Sequence, residues 1–303
     1  MTSPLPQPGC DVLDPSVPRP QPPTPGPRFR LVALDVDGTL KPRDGPITER
    51  VQSAIAATVA AGVHVTIATG RMFRSALPFA QSLGLRTPII CYGGSVIRDP
   101  TTGATIHRQG IPEALARQVV EAARTRGLGV AAYVDDDLYV ERLAPGSPFA
   151  GYVARASARV VEDVLAHLSG EPCHMAVVSD EVRTRSLVLD LRAEFGGRLS
   201  VTSGHPLLAE IDHPEVSKGR ALALLAERLG IDRARVLAVG DDWNDITMLE
   251  YAGLGIAMGG ASPEVLAAAD DVAPSVADDG VAWALGKYVL DGRYWAGVGA
   301  GAG

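Results

Sequence analysis

Residues 29–41 read FRLVALDVDGTLK. Leu31 to Leu34 continue an apolar run of strand length, rich enough in branched residues to predict a buried strand of a parallel sheet. Its exit carries two carboxylates one residue apart, Asp35 and Asp37, followed by Gly38. Like charges repel there, and each leaves water at a cost. Two carboxylates ~4 Å apart repel by about 4 kcal/mol at an effective dielectric of 20, so the pair implies compensation from elsewhere in the chain.

Downstream, TERVQSAIAATVAAG has helical spacing, with Thr48 as its N-cap and Gly62 as its stop. VHVTIATG reads as a second buried strand, RMFRSALPFAQSLG as a second helix closed by Gly84, and PIICYGG as a third strand. The alternation predicts an α/β fold: a Rossmann-like, doubly wound parallel sheet with right-handed crossovers. From residue 94 the pattern changes. SVIRDPTTGATIHRQ reads as a hairpin, GVAAYVDDDLYVER as another with a solvated turn at Asp135 to Asp137, and helical stretches lie between and after them. The earlier rhythm resumes with SKGRALALLAERLG, RVLAVG, NDITMLEYAG, LGIAMG and SPEVLAAAD. The expected division is a core over 29–93 and 208–303, interrupted by an inserted α+β domain over 94–207. The first 28 residues are crowded with proline and predict a disordered tail, with a ligand for proline-recognising modules as a second reading. The GVGAGAG ending reads as a frayed terminus.

A chain of 303 residues with 46% hydrophobic side chains is long enough for a sizeable core. The net charge of −7 argues against a general nucleic-acid binder, so an anionic ligand needs local cations or a metal. Cys10, Cys91 and Cys173 are far apart and form no C-x-x-C, which argues against a disulfide framework or structural zinc and for a reducing cytosol. Cys91 and Cys173 read as small buried hydrophobes, and the six histidines are scattered without metal-ligand spacing. No run approaches the ~18 to 20 apolar residues of a membrane span. The amino terminus lacks the layout of a signal peptide. A soluble cytoplasmic protein is expected, with neither nucleic acid nor membrane as partner, acting as monomer or homodimer.

Ligands of an open parallel sheet bind at the carboxyl ends of its strands. Polar residues gather at four such places: Asp35 and Asp37 after FRLVAL; Thr69, Gly70 and Arg71 after VHVTIA; Lys218 in VSKG; and Asp241 to Asp245 after RVLAVG. Four carboxylates converging on one cleft call for a hard divalent cation. With oxygen as the only donor type among them, Mg²⁺ is favoured over zinc or copper. A lysine, a hydroxyl and backbone N–H groups at a helix entrance complete the means of holding a phosphoryl group. A phosphorylated substrate follows, and an aspartate can serve as nucleophile once its charge is cancelled.

DVDGTL, the threonine of TIATGR, the lysine of VSKG and GDDWND resemble, in that order, the four signature motifs of the haloacid dehalogenase (HAD) superfamily of phosphotransferases. The short interval between the first two motifs leaves no room for a domain, whereas the long one between Thr69 and Lys218 does. That arrangement, with CYGGSVI and the GIAMGGASPEVLAAADD segment, is similar to the Cof-type (subclass IIB) phosphatases, whose cap lies between the second and third motifs. The resemblance implies Asp35 as nucleophile and Asp37 as general acid, then base. It implies Mg²⁺ held by Asp35, the backbone carbonyl of Asp37 and Asp241, with Asp245 as a further ligand or through water. Thr69, Gly70 and Asn244 would bind phosphate oxygens, and Lys218 would neutralise charge. The implied activity is Mg²⁺-dependent hydrolysis of a small phosphorylated metabolite, such as a sugar phosphate or a phosphorylated cofactor. Phosphomutase and a non-catalytic phosphate-binding regulator are the alternatives.

Arg71 reads equally as a substrate or cap contact and as the partner of a core carboxylate. Trp243 reads as packed rather than substrate-stacking. Two departures stand out: the junction usually written Asn-Gly-Ala is Gly93-Gly94-Ser95, and a later Gly-Asn-Ala is Gly259-Gly260-Ala261. Both lose an amide side chain near the expected cleft.

Overall fold

The strand that delivers Asp35 is covered on both faces, and the reason lies in its side-chain alternation. The computed structural model describes residues 27–141, 150, 158–168 and 170–290; Cys10, the GVGAGAG ending and all but the last two residues of the proline-rich stretch lie outside them. β1 (Leu31–Leu34) leads through α1 (Glu49–Ala60), β2 (His64–Ile67) and α2 (Phe73–Ser82) to β3 (Ile89–Cys91). The hairpin β4 (Val96–Arg98) and β5 (Thr105–Arg108) follows, then α3 (Glu113–Thr125), β6 (Gly129–Val134), β7 (Asp137–Glu141), β8 (Arg159–Val161), β9 (His174–Val178), α4 (Thr184–Phe195), β10 (Ser200–His205) and β11 (Leu208–Asp212). The chain returns through α5 (Lys218–Arg228), β12 (Val236–Gly240), α6 (Ile246–Tyr251), β13 (Leu254–Met258), α7 (Pro263–Ala268), β14 (Asp271–Ala273) and α8 (Gly280–Tyr288).

Among the described residues, β14-β13-β12-β1-β2 form one sheet, parallel throughout. Val32 and Leu34 of β1, Leu237 and Val239 of β12, and Ile256 and Met258 of β13 enter one apolar cluster. Their neighbours Leu31, Ala33, Val236, Ala238 and Ala257 enter the cluster on the opposite face. That two-sided burial is why the strands read as continuous apolar runs. α1 covers one face with Val51, Ala54, Ile55 and Thr58, and the Thr48 hydroxyl caps it by accepting from the Val51 N–H at 3.3 Å. β1 and β12 are paired neighbours, with Leu34 opposite Val239, so Asp35 and Asp241 leave the sheet side by side. The connections diverge at this pair, which makes it the topological switch point.

A second sheet, in the order β10-β11-β9-β6-β7-β8, is antiparallel except for the β7–β8 pair. α3 and α4 bury their apolar faces on it through Val119, Val120, Leu187 and Leu191. The α/β core with an inserted α+β unit is thus the observed architecture. Strand pairing divides the chain elsewhere than at 94 and 207. β3, β4 and β5 form a third, antiparallel sheet of three strands, and Ile97 joins the apolar cluster of Leu31 and Ala33, so this hairpin packs with the core. β11 pairs with β9 and β10, which moves residues 208–212 into the inserted unit. For β11 the deciding partner, β9, is some thirty residues away, as in Leu208 opposite Val178, and for the hairpin it is the packing of Ile97 against Leu31 and Ala33; neither leaves a local pattern.

The Asp135–Asp137 turn differs from its expected solvated state. Val134 pairs with Asp137, and Asp135 (φ 48°) and Asp136 (φ 71°) take the two left-handed positions of a tight hairpin turn. The tip docks on the first sheet's side of the molecule. The Asp136 carboxylate accepts from the Arg74 N–H at 3.0 and 3.2 Å and from the Tyr92 hydroxyl at 2.6 Å. Arg108 meets Asp135 at 2.8 Å, and Arg74 meets Asp137 at 3.2 Å. The inserted unit is therefore clasped to the core at a point far in sequence from its two crossings. Asp136→Asn keeps a residue that tolerates positive φ but removes the charge, and should lower the unfolding free energy by about 1–2 kcal/mol in urea titrations, the usual scale for charge-assisted hydrogen bonds.

Candidate active site

The ammonium of Lys218 lies between two carboxylates, 2.7 Å from Asp35 Oδ1 and 2.6 Å from Asp245 Oδ1. All three side chains are buried. Lys218 is the first residue of α5, set by Ser217, whose hydroxyl caps the helix by accepting from the Arg220 N–H at 3.1 Å. Gly219 packs so tightly against α6 that its N–H reaches the Thr247 hydroxyl at 3.1 Å. Asp245 Oδ2 accepts from the backbone N–H groups of Asp241 and Asp242 at 2.9 and 3.0 Å. Both oxygens of Asp245 are thereby engaged, one by the lysine and one by the loop that carries Asp241.

Asp241 stands on the other side of Asp35, its Oδ1 accepting from the Thr39 hydroxyl at 2.6 Å. Gly38 (φ 97°) lets the two loops touch: a β-carbon there would lie 2.1 Å from Asp241 Oδ2. Thr39 escaped sequence reasoning, although the Gly-Thr after DVD is the signal that would have found it. Burial pushes the Asp35 carboxyl up to about 7, against the pull of Lys218, with Asp245 adding to the rise. Burial likewise raises Asp241 to about 6, opposed by the Thr39 hydrogen bond. Lys218 moves the other way. Its burial disfavours the charge, but Asp245 and Asp35 hold the ammonium well above its ordinary value.

Asp37 points elsewhere. Arg71 grips it with Nε at 2.6 Å and Nη2 at 2.7 Å, and the Lys41 ammonium is 3.4 Å away. Partial burial would raise the Asp37 carboxyl, but Arg71 and then Lys41 outweigh it and hold it below its usual range. Of the two readings of Arg71, the geometry takes the core-carboxylate pair. Lys41, also missed, is buried and donates to the carbonyls of Pro42 and Arg43 at 2.6 and 2.8 Å.

Thr69 is buried, its hydroxyl accepting from the Arg71 N–H at 3.2 Å, and Gly70 faces the Asn244 amide, 3.9 Å from where a β-carbon would stand. Asn244 and its neighbours Asp242 and Trp243 form one wall of a cavity of about 840 Å³. The opposite wall comes from α4 and the β10–β11 hairpin of the inserted unit. Trp243 is 60% exposed there, which corrects its reading as a packed residue: the capped turn Trp243–Asp245 holds its side chain outward. Gly93 (φ 62°) and Gly260 (φ 94°) have open space where a β-carbon would be.

Asp35, Asp241 and Asp245 each bring a carboxylate oxygen within 4.8 Å of the others. One lysine cannot neutralise three carboxylates, and the raised Asp35 and Asp241 express the remaining repulsion. An all-oxygen donor set with excess negative charge fits a hard divalent cation such as Mg²⁺. The carboxylate of Asp37 is outside this group and committed to Arg71, so only its backbone carbonyl is left as a donor.

Because folding raises Asp35 and Asp241, the folded state binds their protons more tightly than the unfolded chain does. Metal-free protein should therefore lose this part of its stability as pH rises from about 4 towards 7. Urea titrations in EDTA should find Asp35→Asn gaining on the unmodified protein across that window, and Mg²⁺ should close the gap.

The model of the haloacid dehalogenase-like hydrolase family matches residues 32–285. The chain is 30% identical to the pyridoxal phosphate phosphatase YbhA of Escherichia coli, covering 86% of this chain and 99% of that one. It is 29% identical to the 5-amino-6-(5-phospho-D-ribitylamino)uracil phosphatase YitU of Bacillus subtilis, over 85% of this chain and 97% of that one. A crystal structure of a haloacid dehalogenase-like hydrolase from Bacteroides thetaiotaomicron superposes with a TM-score of 0.78 at 25% identity, over 86% and 99% of the two chains. Sequence, fold and the cluster around Lys218 converge: the chain belongs to the haloacid dehalogenase-like hydrolase family.

Proposed function

We propose that the protein is a Mg²⁺-dependent phosphatase that hydrolyses a small phosphorylated metabolite through a phospho-aspartate on Asp35. The observation that carries this reading is the buried Asp35 carboxylate held at 2.7 Å by Lys218, beside Asp241 and at the carboxyl edge of β1. A carboxylate attacks a phosphate dianion only when neighbouring cations cancel the repulsion. Lys218 provides one such charge, and Mg²⁺ on Asp35, Asp241 and the Asp37 carbonyl would provide the rest by drawing charge from the phosphoryl oxygens. Asp245, with both oxygens engaged, orients the lysine and the Asp241 loop.

In the forward step an Asp35 oxygen bonds to phosphorus while the ester bond breaks, and the leaving oxygen takes a proton from Asp37. A water then gives a proton to Asp37 and attacks phosphorus, releasing phosphate and restoring the Asp35 carboxylate. The Arg71 pair bears directly on this sequence. An Asp37 held by Arg71 stays ionised and cannot donate, so Arg71 must let go. A phosphate bound at Thr69, Gly70 and Asn244 offers the arginine a competing anion, which couples substrate arrival to the arming of the acid. The inserted unit, which supplies the far wall of the cavity, acts in this reading as the cap that selects the leaving group.

Phosphate release from a phosphate monoester should require Mg²⁺, disappear in Asp35→Asn, and fall by about 10²–10⁴-fold in Asp37→Asn, the range of a general acid–base contribution. Steady-state release assays check all three, and a mutase would return an isomerised ester in place of free phosphate. Arg71→Ala should raise the apparent pKa of the basic limb of the kcat/KM profile, since that limb reports deprotonation of the general acid and the substitution frees Asp37 from the guanidinium.

A further inference from the structure

Three features of the cavity are left unused by phosphate chemistry. Trp243 is 60% exposed and Leu189, on the opposite wall, is also 60% exposed, an unusual state for large apolar side chains facing one another across a cleft. Arg185, one turn before Leu189 on the same face of α4, has no hydrogen-bond or ion-pair partner among the described residues. Several polar groups nearby are already occupied. The Thr184 hydroxyl donates to the Asp180 carbonyl at 2.7 Å, Arg192 donates to the Val201 carbonyl at 2.7 Å, and Ser203 and Glu210 have partners of their own.

Trp243 is also held in place. Its backbone N–H donates to Asp242 Oδ1 at 2.8 Å, inside a turn closed by Asp245. Its chain neighbour Asn244 faces Gly70. The backbone that carries the indole is therefore set one residue from the phosphate-holding corner, so whatever is esterified to the phosphate lies within the indole's reach. A polyol would cover less of the indole face and of Leu189 than a planar ring does. A flat ring would cover the indole face and meet Leu189 from the other side, where aromatic contacts add to plain burial.

We infer that the leaving group taken by this cavity is a planar aromatic heterocycle stacked on Trp243, with an acceptor or anionic substituent met by Arg185. The inference rests on the phosphatase reading and narrows its substrate class to phosphorylated aromatic metabolites over simple sugar phosphates.

The test compares kcat/KM for pyridoxal 5′-phosphate and glucose 6-phosphate, using the full chain with Mg²⁺. The ratio should favour pyridoxal 5′-phosphate by about tenfold or more, and Trp243→Ala should collapse it by a similar factor, the scale of stacking losses. Trp243→Phe should retain most of the preference, which guards against a merely misfolded alanine variant. Arg185→Ala should raise KM for pyridoxal 5′-phosphate several-fold. In Asp35→Asn, pyridoxal 5′-phosphate should quench tryptophan emission, and the added Trp243→Phe change should remove most of that quench. Equal rates on the two esters, or a ratio that Trp243→Ala leaves in place, overturn the stacking inference while the phosphatase reading stands. An unmodified protein that releases phosphate from neither these esters nor p-nitrophenyl phosphate overturns the phosphatase reading, and the inference with it.

Discussion

The contact on which the rest of the site depends is the ammonium of Lys218 held between Asp35 and Asp245. Three fully desolvated charges in a row are costly to assemble, and removing one partner of such a group typically costs 3–5 kcal/mol because the others are left uncompensated. The fold absorbs that cost through geometry. β1 and β12 run in register so that their carboxylates emerge together, Ser217 starts a helix at the lysine, and two backbone N–H groups hold the far oxygen of Asp245. One buried cation thus ties together three stretches of chain that are remote in sequence. The same arrangement leaves Asp35 and Asp241 short of positive charge, and that deficit is what suits the cluster to a divalent cation.

Much of this was legible in the sequence because the chemistry is encoded in short, rigid pieces. A buried strand can be read from Leu31 to Leu34 because both of its faces are covered, and its polar exit then has few structural explanations. Asp35, Thr69 and Asp241, just past strand ends, and Lys218, at a helix start, stand out as site candidates from the sequence alone. What could not be read was which partner each charge would choose. Arg71 offered two equal readings until the distance to Asp37 decided between them, and Trp243 gave no local sign that a capped turn would hold it outward. The same limit explains the division of the chain: β11 and the β4–β5 hairpin look like ordinary strands, and only the pairing of β11 with β9 and the packing of Ile97 against β1 assign them to their units.

The Asp135–Asp137 turn shows how a plausible local reading can miss a tertiary one. Three consecutive aspartates suggest solvent, yet Arg74, Tyr92 and Arg108 converge on them from the core side. Those partners cannot be found by looking at the turn. With this clasp in place, the inserted unit presents α4 to the cavity at a set height above the strand ends, and selection of a substrate becomes a matter of what fits between two fixed walls.

Gly94 has a wider consequence. It lies in the turn between β3 and β4, and a β-carbon on it would come within 2.3 Å of the Ser217 carbonyl, where the chain has come back to the core. The two crossings lie close by: Gln109, just past β5, and Glu215, just before α5, line one small cavity with Gly94. For the core, everything between them is a loop already closed, and closure entropy grows so slowly that doubling such a loop costs only about 0.6 kcal/mol. The inserted segment is free to lengthen, shorten or change its sequence at little expense to the reaction centre, whereas a single methyl group at residue 94 would strike the backbone that positions Lys218. Tolerance to change is thus distributed very unevenly along the chain, and its sharpest boundary is one glycine wide.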